Sequence, residues 1–316
     1  MLKEDDEIIS HIYEVLKTQN LTADKVDLYL KNYQGAAYLI DGRFIMRISK
    51  SGSNEHRKQE RVQFVSYVPR VHSNGSFNAS GQIYHYSISD YVQGEELYGV
   101  LQELNEEQQT SIGKDIAEFL TELHSITGSS YDIGHYIPTI PGFSRSWKEG
   151  HIEYTNYLRK ALSEIEINPE SKKVLSAAFE YINANIDCLD YQTRARLLHN
   201  DFHPKNIIVN KGRVSGVIDW ECSQFGEEDF ELVHLFHWCI YPPDQGRVFV
   251  ALLRAIVENL GLIRSIPDFD KRLTIYQLEH ELNQLIWNGT NQLEERTNRI
   301  NGWLNGQIKS LLAEWI

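Results

Sequence analysis

The stretch from Leu197 to Glu221, LLHNDFHPKNIIVNKGRVSGVIDWE, most constrains what this chain can fold into. Its middle is an apolar run, Ile207–Val209, followed by the turn residues Asn210–Gly212 and by a second apolar run that ends at Ile218. Two apolar runs that flank a glycine-containing turn are typical of a β-hairpin. The stretch therefore predicts a loop, a strand, a tight turn and a second strand.

Polar residues stand at both ends of this predicted hairpin. Asp201 lies in the loop before it, Asn206 begins the first strand, and Asp219 follows the second. A loop carboxylate can accept a proton from a substrate hydroxyl or orient that hydroxyl for attack. Amide and carboxylate oxygens are hard ligands that suit Mg²⁺ together with substrate phosphates. The joint pattern predicts phosphoryl transfer with a divalent cation, although each residue alone is also compatible with a solvated turn.

Two histidines belong to the same stretch. His199 is interpreted as structural, holding the loop by hydrogen bonds, because a set of hard oxygen ligands does not need an imidazole. His203 is compatible with a structural role or with a role in binding a metal.

The N-terminal part of the chain is predicted to be rich in strands. The predicted elements are a helix at residues 4–19, strands at 26–30, 37–40, 44–48, 70–73 and 83–90, and a helix at 55–68. Asp41-Gly42 indicates a hairpin, and turns are expected at 73–75 and 78–81. The loop that contains Gly35 would let backbone N–H groups approach phosphates, or it is only a turn.

Beyond residue 92 the apolar spacing becomes helical. Helices are predicted at residues 105–124, 147–162, 171–186, 230–240, 244–260, 271–287 and 294–315. Asn105, with Gln108 three residues later, is expected to cap the first of them. The predicted fold is α+β, with an N-terminal antiparallel β-sheet lobe at residues 1–92 that contains one main helix, and a larger, mainly helical lobe at 93–316.

The charge balance disfavours anionic partners. The chain has 31 Lys and Arg against 44 Asp and Glu, a net charge of −13. Such a chain has no electrostatic attraction for nucleic acid or for an anionic membrane, and it favours a cationic small molecule. The alternative is that the charge serves only solubility. No obligate protein partner is expected.

Cysteine usage indicates a cytoplasmic protein. The three cysteines, Cys188, Cys222 and Cys239, are odd in number and form no close C-x-x-C pair, so we expect reduced thiols. The N-terminal sequence MLKEDDEIIS is acidic and lacks an apolar core, so no signal peptide is expected. No apolar run is long enough to predict a membrane span.

The central stretch resembles the catalytic and metal-binding loops of the aminoglycoside phosphotransferase family, within the protein-kinase-like superfamily. The family typically shows H-G-D-x-H-x-x-N and I-D-[WF]-[ED], and here the sequences are HNDFHPKN and IDWE. The resemblance implies a bilobal kinase fold and transfer of the γ-phosphoryl of ATP or GTP to a small-molecule hydroxyl. By position it implies that Asp201 is the catalytic base, and that Asn206 and Asp219 are Mg²⁺ ligands.

The resemblance also extends to the N-terminal lobe. Glu60 matches the carboxylate that pairs with the phosphate-binding cation, and the backbone of Ser89, Asp90, Tyr91 and Val92 matches the segment that reads the adenine edge. The family usually has lysine on the third strand, whereas this chain has Arg47. Arginine holds phosphate bidentately and does not simply replace lysine. The alternative is that Arg47 is a solvated strand residue.

An acidic segment follows the metal site directly. Residues 219–231 contain six acidic residues and no basic one, so we expect them to border the acceptor and to pair with its ammonium groups. The predicted acceptor-binding residues are Glu221, Glu227, Glu228, Glu279 and His203. The alternative is an ordinary solvated acidic turn.

The sequence therefore predicts a cytoplasmic small-molecule kinase with an aminoglycoside antibiotic as the leading acceptor. Rival acceptors are a macrolide, a choline-like amine, a sugar or an amino alcohol. A rival of another class is a catalytically silent nucleotide-binding protein, which Arg47 and the glycine-poor phosphate loop leave open.

Overall fold

An antiparallel sheet follows an N-terminal helix in the computed structural model, which describes residues 2–31, 35–50, 59, 62–132, 146–191, 194–241 and 249–315. Helix α1 is Leu2–Thr18, and the strands are β1 Val26–Lys31, β2 Gly35–Ile40, β3 Phe44–Ser49, β4 Val71–Ala79 and β5 Gln82–Asp90. The strand order is β1-β2-β3-β5-β4. Asp41 and Gly42 adopt φ angles of 49° and 64°, as a tight hairpin turn requires, so the hairpin predicted there is confirmed.

Alternation along the strands divides the sheet into two different faces. The buried residues Tyr38, Met46 and Ile88 lie in one apolar cluster with Ile12 and Leu16 of α1. Because successive side chains of a strand point to opposite faces, residues between these positions face away from α1. The helix therefore covers one face of the sheet.

Two local predictions in this region fail or fall outside the structure. The turn predicted at residues 73–75 is wrong, because Ser73, Asn74 and Gly75 pair with Ile88, Ser87 and Tyr86 inside β4. Sheet pairing overrides the turn propensity of a Ser-Asn-Gly sequence. In the helix predicted at 55–68, residues 55–58, 60 and 61 lie outside the described residues and Gln59 is helical, but 62–67 consists of turns and a bend, so the prediction is wrong there.

The central stretch forms the predicted hairpin and gains a third strand. Strand β8, Ile207–Asn210, pairs antiparallel with β9, Arg213–Val217. A two-residue strand, β6 Glu95–Glu96, pairs with β8 on its other side. Gly94 precedes it with φ 142°, and a Cβ at this position would lie 2.3 Å from the Val209 carbonyl oxygen. Glycine thus allows the backbone after β5 to approach the hairpin closely.

The chain divides into two compact units. The first unit is Met1–Gly99 with Lys205–Cys222, and the second unit is Val100–Pro204 with Ser223–Ile316. The hairpin belongs to the first unit because β8 pairs with β6 and the Val217 N–H donates to the Tyr67 carbonyl at 2.8 Å. The division of function between lobes at 1–92 and 93–316 stays a prediction.

The second unit is mainly helical, as predicted. After α2, Leu97–Val100, at the boundary, its helices are α3 Glu106–His124, α4 Trp147–Ser163, α5 Pro169–Asn185, α6 Leu232–Ile240, α7 Val250–Leu260, α8 Leu262–Ser265, α9 Phe269–Asn288, α10 Leu293–Leu304 and α11 Gln307–Ala313. The predicted capping box of α3 is confirmed, with Asn105 and Gln108 bonded reciprocally. A two-stranded sheet of β7, Arg196–Leu198, and β10, Gln224–Gly226, lies in the same unit.

Two helix boundaries differ from the prediction. The C-terminal helix predicted at 294–315 is two helices, because Gly306 adopts φ 80° and ends the regular backbone between α10 and α11. The predicted start of α7 at residue 244 lies outside the described residues, and the helix is described from Val250. Within the described chain, no helix combines the length and apolarity needed to cross a membrane.

Candidate active site

The open end of the β8–β9 hairpin brings two of the predicted ligands together. Ile207 pairs with Val217, and the Ile218 N–H donates to the Asn206 carbonyl at 2.9 Å. This bond places Asn206 directly across from Ile218, just beyond the end of β9. Asp219 is the next residue along the chain. Asp219 adopts φ 69°, in the left-handed region that a non-glycine residue rarely enters.

The donor set at this end fits a magnesium ion that also binds phosphate. Asn206 can offer an amide oxygen and Asp219 a carboxylate oxygen. Mg²⁺ is commonly bound by one or two protein groups, with phosphates and water completing its six positions. No group of three or more His, Cys, Asp or Glu side chains suited to a metal occurs in the described part of the chain. A pair of hard oxygen donors suits a cation that also binds phosphate.

The loop of Asp201 is held by a buried carboxylate in the second unit. Both oxygens of Glu231 accept backbone N–H groups, from His199 at 2.7 Å and from Asn200 at 2.8 Å. Asn200, which adopts φ 65°, stands where the resembled family has glycine, and asparagine tolerates this region better than most residues. The Asp201 N–H donates to Nδ1 of the fully buried His199 at 3.3 Å. The structural role predicted for His199 is in accord with these contacts.

Two imidazoles face one oxygen of Asp201. His203 Nε2 lies 3.5 Å and His234 Nδ1 lies 3.9 Å from Asp201 Oδ1. Burial acts to raise the pKa of Asp201, but the hydrogen bond with His203 and the neighbouring imidazoles outweigh it, so the pKa lies well below its usual range. Burial likewise lowers the pKa of His234 to about 4. At neutral pH Asp201 is therefore ionised and His234 is neutral.

Arg47 lies on the face of the sheet that α1 does not cover. It stands between the buried Met46 and Ile48 of β3, so its side chain points away from their cluster. Its cross-strand neighbours are the small residues Ala37 and Ser87. Small neighbours leave room above the strand, as an arginine that binds phosphate needs.

Gly35 is the first residue of β2, opposite Ser49 of β3. A Cβ at Gly35 would lie 2.2 Å from the carbonyl oxygen of Ile48. The glycine is thus required by the close approach of two strands. Residues 32–34 of the predicted phosphate loop lie outside the described residues.

Gly35→Ala is expected to lower the free energy of unfolding by about 1–3 kcal/mol, because the Ile48 backbone must move to admit the methyl group. Chemical denaturation of the purified variant measures this. The matched control is Gly99→Ala, where a Cβ meets nothing within 4 Å, and this change should be nearly neutral. Equal effects of the two substitutions would contradict the steric explanation.

At the end of β5, the backbone N–H groups of Asp90 and Tyr91 are both engaged in hydrogen bonds. The Asp90 N–H donates to the Arg70 carbonyl at 3.0 Å, and the Tyr91 N–H donates to the Arg43 carbonyl at 2.8 Å. Ser89 pairs with Ile45 and Val71. Among the described residues, no acceptor is bonded to the Val92 N–H. Val92 thus retains a donor for a nucleobase, whereas Asp90 and Tyr91 do not.

The Asp90 side chain is engaged as well. It lies 2.6 Å from His72 Nε2 and accepts the Arg70 N–H at 3.2 Å. Glu60, the predicted partner of Arg47, lies outside the described residues.

The prediction that Glu227 and Glu279 bind the acceptor is wrong. Glu227 is 1% exposed and accepts a hydrogen bond from the buried Arg272. Glu279 is 1% exposed, and its two oxygens bond His151 at 2.6 Å and Thr155 at 2.9 Å. Both carboxylates point into the core. Each has a hydrogen-bond partner there, because an unpaired buried carboxylate would be costly. They have no surface to offer an acceptor.

The other two predicted carboxylates remain accessible. Glu221 is exposed in the short 3₁₀ turn Trp220–Cys222 of the first unit. Glu228 is half-buried at the start of the 3₁₀ turn Glu228–Glu231 in the second unit. Their role in acceptor binding stays a prediction.

Arg272 organises the buried charges beside this turn. Its Nε donates to Asp229 at 2.6 Å, its Nη1 donates to the Cys188 carbonyl at 2.8 Å, and its Nη2 donates to Glu227. One cation therefore faces two carboxylates. Burial raises the pKa of Glu227 to about 7, with Asp229 adding repulsion and Arg272 opposing the shift.

Glu227→Gln is expected to stabilise the protein at pH 8 relative to the wild type by about 3 kcal/mol at most. The folded protein holds the Glu227 proton up to about pH 7, whereas the unfolded chain releases it near its usual value of 4.5. The free energy of unfolding of the wild type therefore falls as the pH rises from 4.5 to 7. Glutamine does not ionise, so the variant does not lose this stability. Thermal unfolding at pH 5 and pH 8 measures it, and a variant difference independent of pH would refute this linkage.

His234 of α6 lies beside Asp201 and was not predicted as a site residue, and Trp238 of the same helix stacks on His203. His234 and Trp238 are four residues apart, so they lie on one face of the helix. The sequence contains this spacing, HLFHW from residue 234, but periodicity alone does not tell which loop the face meets.

Comparison with known proteins identifies relatives of the whole arrangement. A profile of the phosphotransferase enzyme family matches residues 33–266. Hygromycin-B 4-O-kinase from Escherichia coli is 25% identical over 172 residues, 54% of this chain and 48% of that protein. The match thus spans about half the length of this relative. The Protein LicA homolog of Mycoplasma capricolum subsp. capricolum is 22% identical over 222 residues, 70% of this chain and 76% of that protein.

Solved structures share the fold. Aminoglycoside phosphotransferase APH(4)-Ia superposes with a TM-score of 0.65 at 17% identity, covering 96% of this chain and 99% of that chain. The streptomycin–ATP ternary complex of APH(2″)-IIa gives a TM-score of 0.62 at 19% identity, with coverage of 94% and 97%. At these identities the likeness shows the fold, which is that of the aminoglycoside phosphotransferases, and the predicted protein-kinase-like α+β fold is confirmed.

Proposed function

Because the chain belongs to the phosphotransferase enzyme family, we propose that it transfers the γ-phosphoryl group of ATP or GTP to a hydroxyl group of a small molecule. The observation that carries the proposal is the loop of Asp201, which the buried Glu231 holds through two backbone N–H groups and whose carboxylate faces His203 and His234. An ionised, fixed carboxylate can receive or direct the hydroxyl of an acceptor. Solved structures of the same fold contain ATP or other nucleotides.

The remaining residues receive roles by their chemistry. Asn206 and Asp219 would hold Mg²⁺, which when bound neutralises charge on the transferred phosphoryl group. Arg47, on the uncovered face of the sheet, would bind phosphate oxygens with its planar guanidinium. The Val92 N–H would donate to the nucleobase. We place this reaction in the cytoplasm, where the three cysteines are expected to be reduced.

An aminoglycoside is the leading acceptor in this proposal. Its support is the relatives, since one is a hygromycin-B kinase and another was solved with streptomycin. The net charge of −13 adds attraction for a cation at long range. Glu221 and Glu228 are the carboxylates that remain accessible for its ammonium groups, with His203 beside the hydroxyl.

A second candidate acceptor is a neutral sugar or an amine with a single charge. The inward pairing of Glu227 and Glu279 favours it, because a polycation needs several uncompensated carboxylates. A macrolide and an amino alcohol belong in the same comparison.

The test is phosphorylation of an acceptor panel by the purified protein with Mg²⁺ and either ATP or GTP. The panel contains hygromycin B, streptomycin, choline, a macrolide, a hexose and an amino alcohol, and products are detected by mass spectrometry. A mass increase of one phosphoryl group, formed much more slowly with Asp201→Asn, would support the proposal.

The outcomes separate the competing functions. Phosphorylation of choline or the hexose alone would sink the aminoglycoside assignment and keep the kinase. Nucleotide binding by thermal shift without any phosphorylated product would favour the catalytically silent alternative.

A further inference from the structure

Helix α6 presents two aromatic side chains to the loop of Asp201 within the second unit. His234 and Trp238 lie one turn apart on this helix, so they share a face. His234 faces Asp201 Oδ1 at 3.9 Å. Trp238 instead stacks on His203, with ring centroids 4.6 Å apart and an interplanar angle of 17°.

His203 is consequently held on two sides. Its Nε2 lies 3.5 Å from Asp201 Oδ1, and its ring plane lies against the indole. A near-parallel stack restricts tilting of the imidazole, while the contact with the carboxylate fixes its rotation in the plane. An imidazole restrained in both ways in turn restrains the carboxylate that it contacts.

Helix α6 is itself held by α9 on a neighbouring face, that of Val233 and His237. The buried Gln277 of α9 donates to the Val233 carbonyl at 2.8 Å. His237 of α6 lies 3.1 Å from the buried Glu281, which Arg296 contacts at 2.9 Å. Polar side chains buried in good geometry and bonded to a helix hold it in one position. Trp238 therefore projects from a rigid support.

We propose that Trp238 is a positioning residue for phosphoryl transfer, which stacks on His203 and thereby holds the carboxylate of Asp201 in one orientation. This inference rests on the proposed kinase function. Trp238 acts through His203 and is not itself required to touch the acceptor. An error of about 1 Å in the position of a catalytic group can cost about 100-fold in rate, so a side chain two contacts away can matter strongly.

The stack makes a specific prediction about kinetics. Trp238→Leu removes the flat partner of His203, and it should lower kcat by about 10–100-fold while KM for the nucleotide stays within about threefold. Trp238→Phe keeps an aromatic face for His203 and should recover most of kcat. A merely structural role would instead lower thermal stability in both variants without this split.

A matched control removes another aromatic ring from the same unit. Phe179 of α5 packs under the guanidinium of Arg159, with 4.5 Å between the cation and the ring centroid. Phe179→Leu should lower thermal stability as much as Trp238→Leu does, yet leave kcat unchanged. Wild-type kcat in Trp238→Leu, or a kcat loss in Phe179→Leu of equal size, overturns the positioning role.

A measurement without turnover separates this inference from the proposed function. The Hε1 proton of His203, identified by the loss of its NMR signal in His203→Gln, should show a ring-current shift that disappears in Trp238→Leu. A missing shift in the wild type refutes the stack. A clear shift in a protein that phosphorylates no acceptor would refute the kinase proposal and, with it, the role of the stack in catalysis.

Discussion

Asp201→Asn is expected to lower kcat by about 10²–10⁴-fold, the usual contribution of a general base, while KM for the nucleotide changes little. Asparagine has almost the same shape, but it carries no charge and cannot accept the hydroxyl proton. Steady-state kinetics with the acceptor identified from the panel measures the effect.

A matched carboxylate in the same unit provides the control. Asp187 is 88% exposed and pairs with Lys148 at 2.7 Å, so Asp187→Asn should leave kcat within experimental error. A loss smaller than tenfold for Asp201→Asn would show that this carboxylate has no role in the chemical step.

Arg272→Leu is expected to destabilise the second unit by about 3–5 kcal/mol, because it leaves two buried carboxylates without their cation. Asp229 is fully buried and bonds Arg272 at 2.6 Å, so its charge would have no counter-ion in the core. Urea denaturation followed by the fluorescence of Trp147, which donates to Tyr276 beside this network, measures the loss.

If the unpaired charges cause the loss of stability, removing them should restore part of it. Combining Arg272→Leu with Glu227→Gln and Asp229→Asn removes all three charges, and this triple variant should recover part of the lost stability. The exposed pair gives the control, since Lys148→Ala should cost less than about 1 kcal/mol. A mild effect of Arg272→Leu alone would mean that the network is not the source of stability at this turn.

Local sequence patterns predicted the parts of the site that local structure determines. The hairpin that carries Asn206 and Asp219 follows from apolar runs around a turn, and the cap at Asn105 follows from spacing within one helical turn. These features need no knowledge of distant contacts. The break at Gly306 has no such distinct signal, because Asn-Gly also occurs at residues 301–302, where α10 continues.

The carboxylates that were predicted to bind the acceptor show what local sequence patterns do not predict. Glu227 meets Arg272, which is 45 residues away, and Glu279 meets His151, which is 128 residues away. A run of acidic residues predicts a negative surface only if its charges stay uncompensated. Contacts between residues far apart in the sequence decide whether the charges are compensated. Amino-acid composition does not predict these contacts. The orientation of α6 toward Asp201 was missed for the same reason.

The route of the chain has a consequence for dissecting this protein into parts. Because residues 205–222 belong to the first unit and supply β8 as the partner of β6, the fragment 1–99 would expose the edge formed by Glu95–Glu96 and lose the Val217–Tyr67 bond. The fragment would contain all five strands of the sheet β1-β2-β3-β5-β4 but lose two of the three strands of the sheet β6-β8-β9. A version of this unit with both sheets would therefore need the hairpin fused after residue 99, in a new order along the polypeptide.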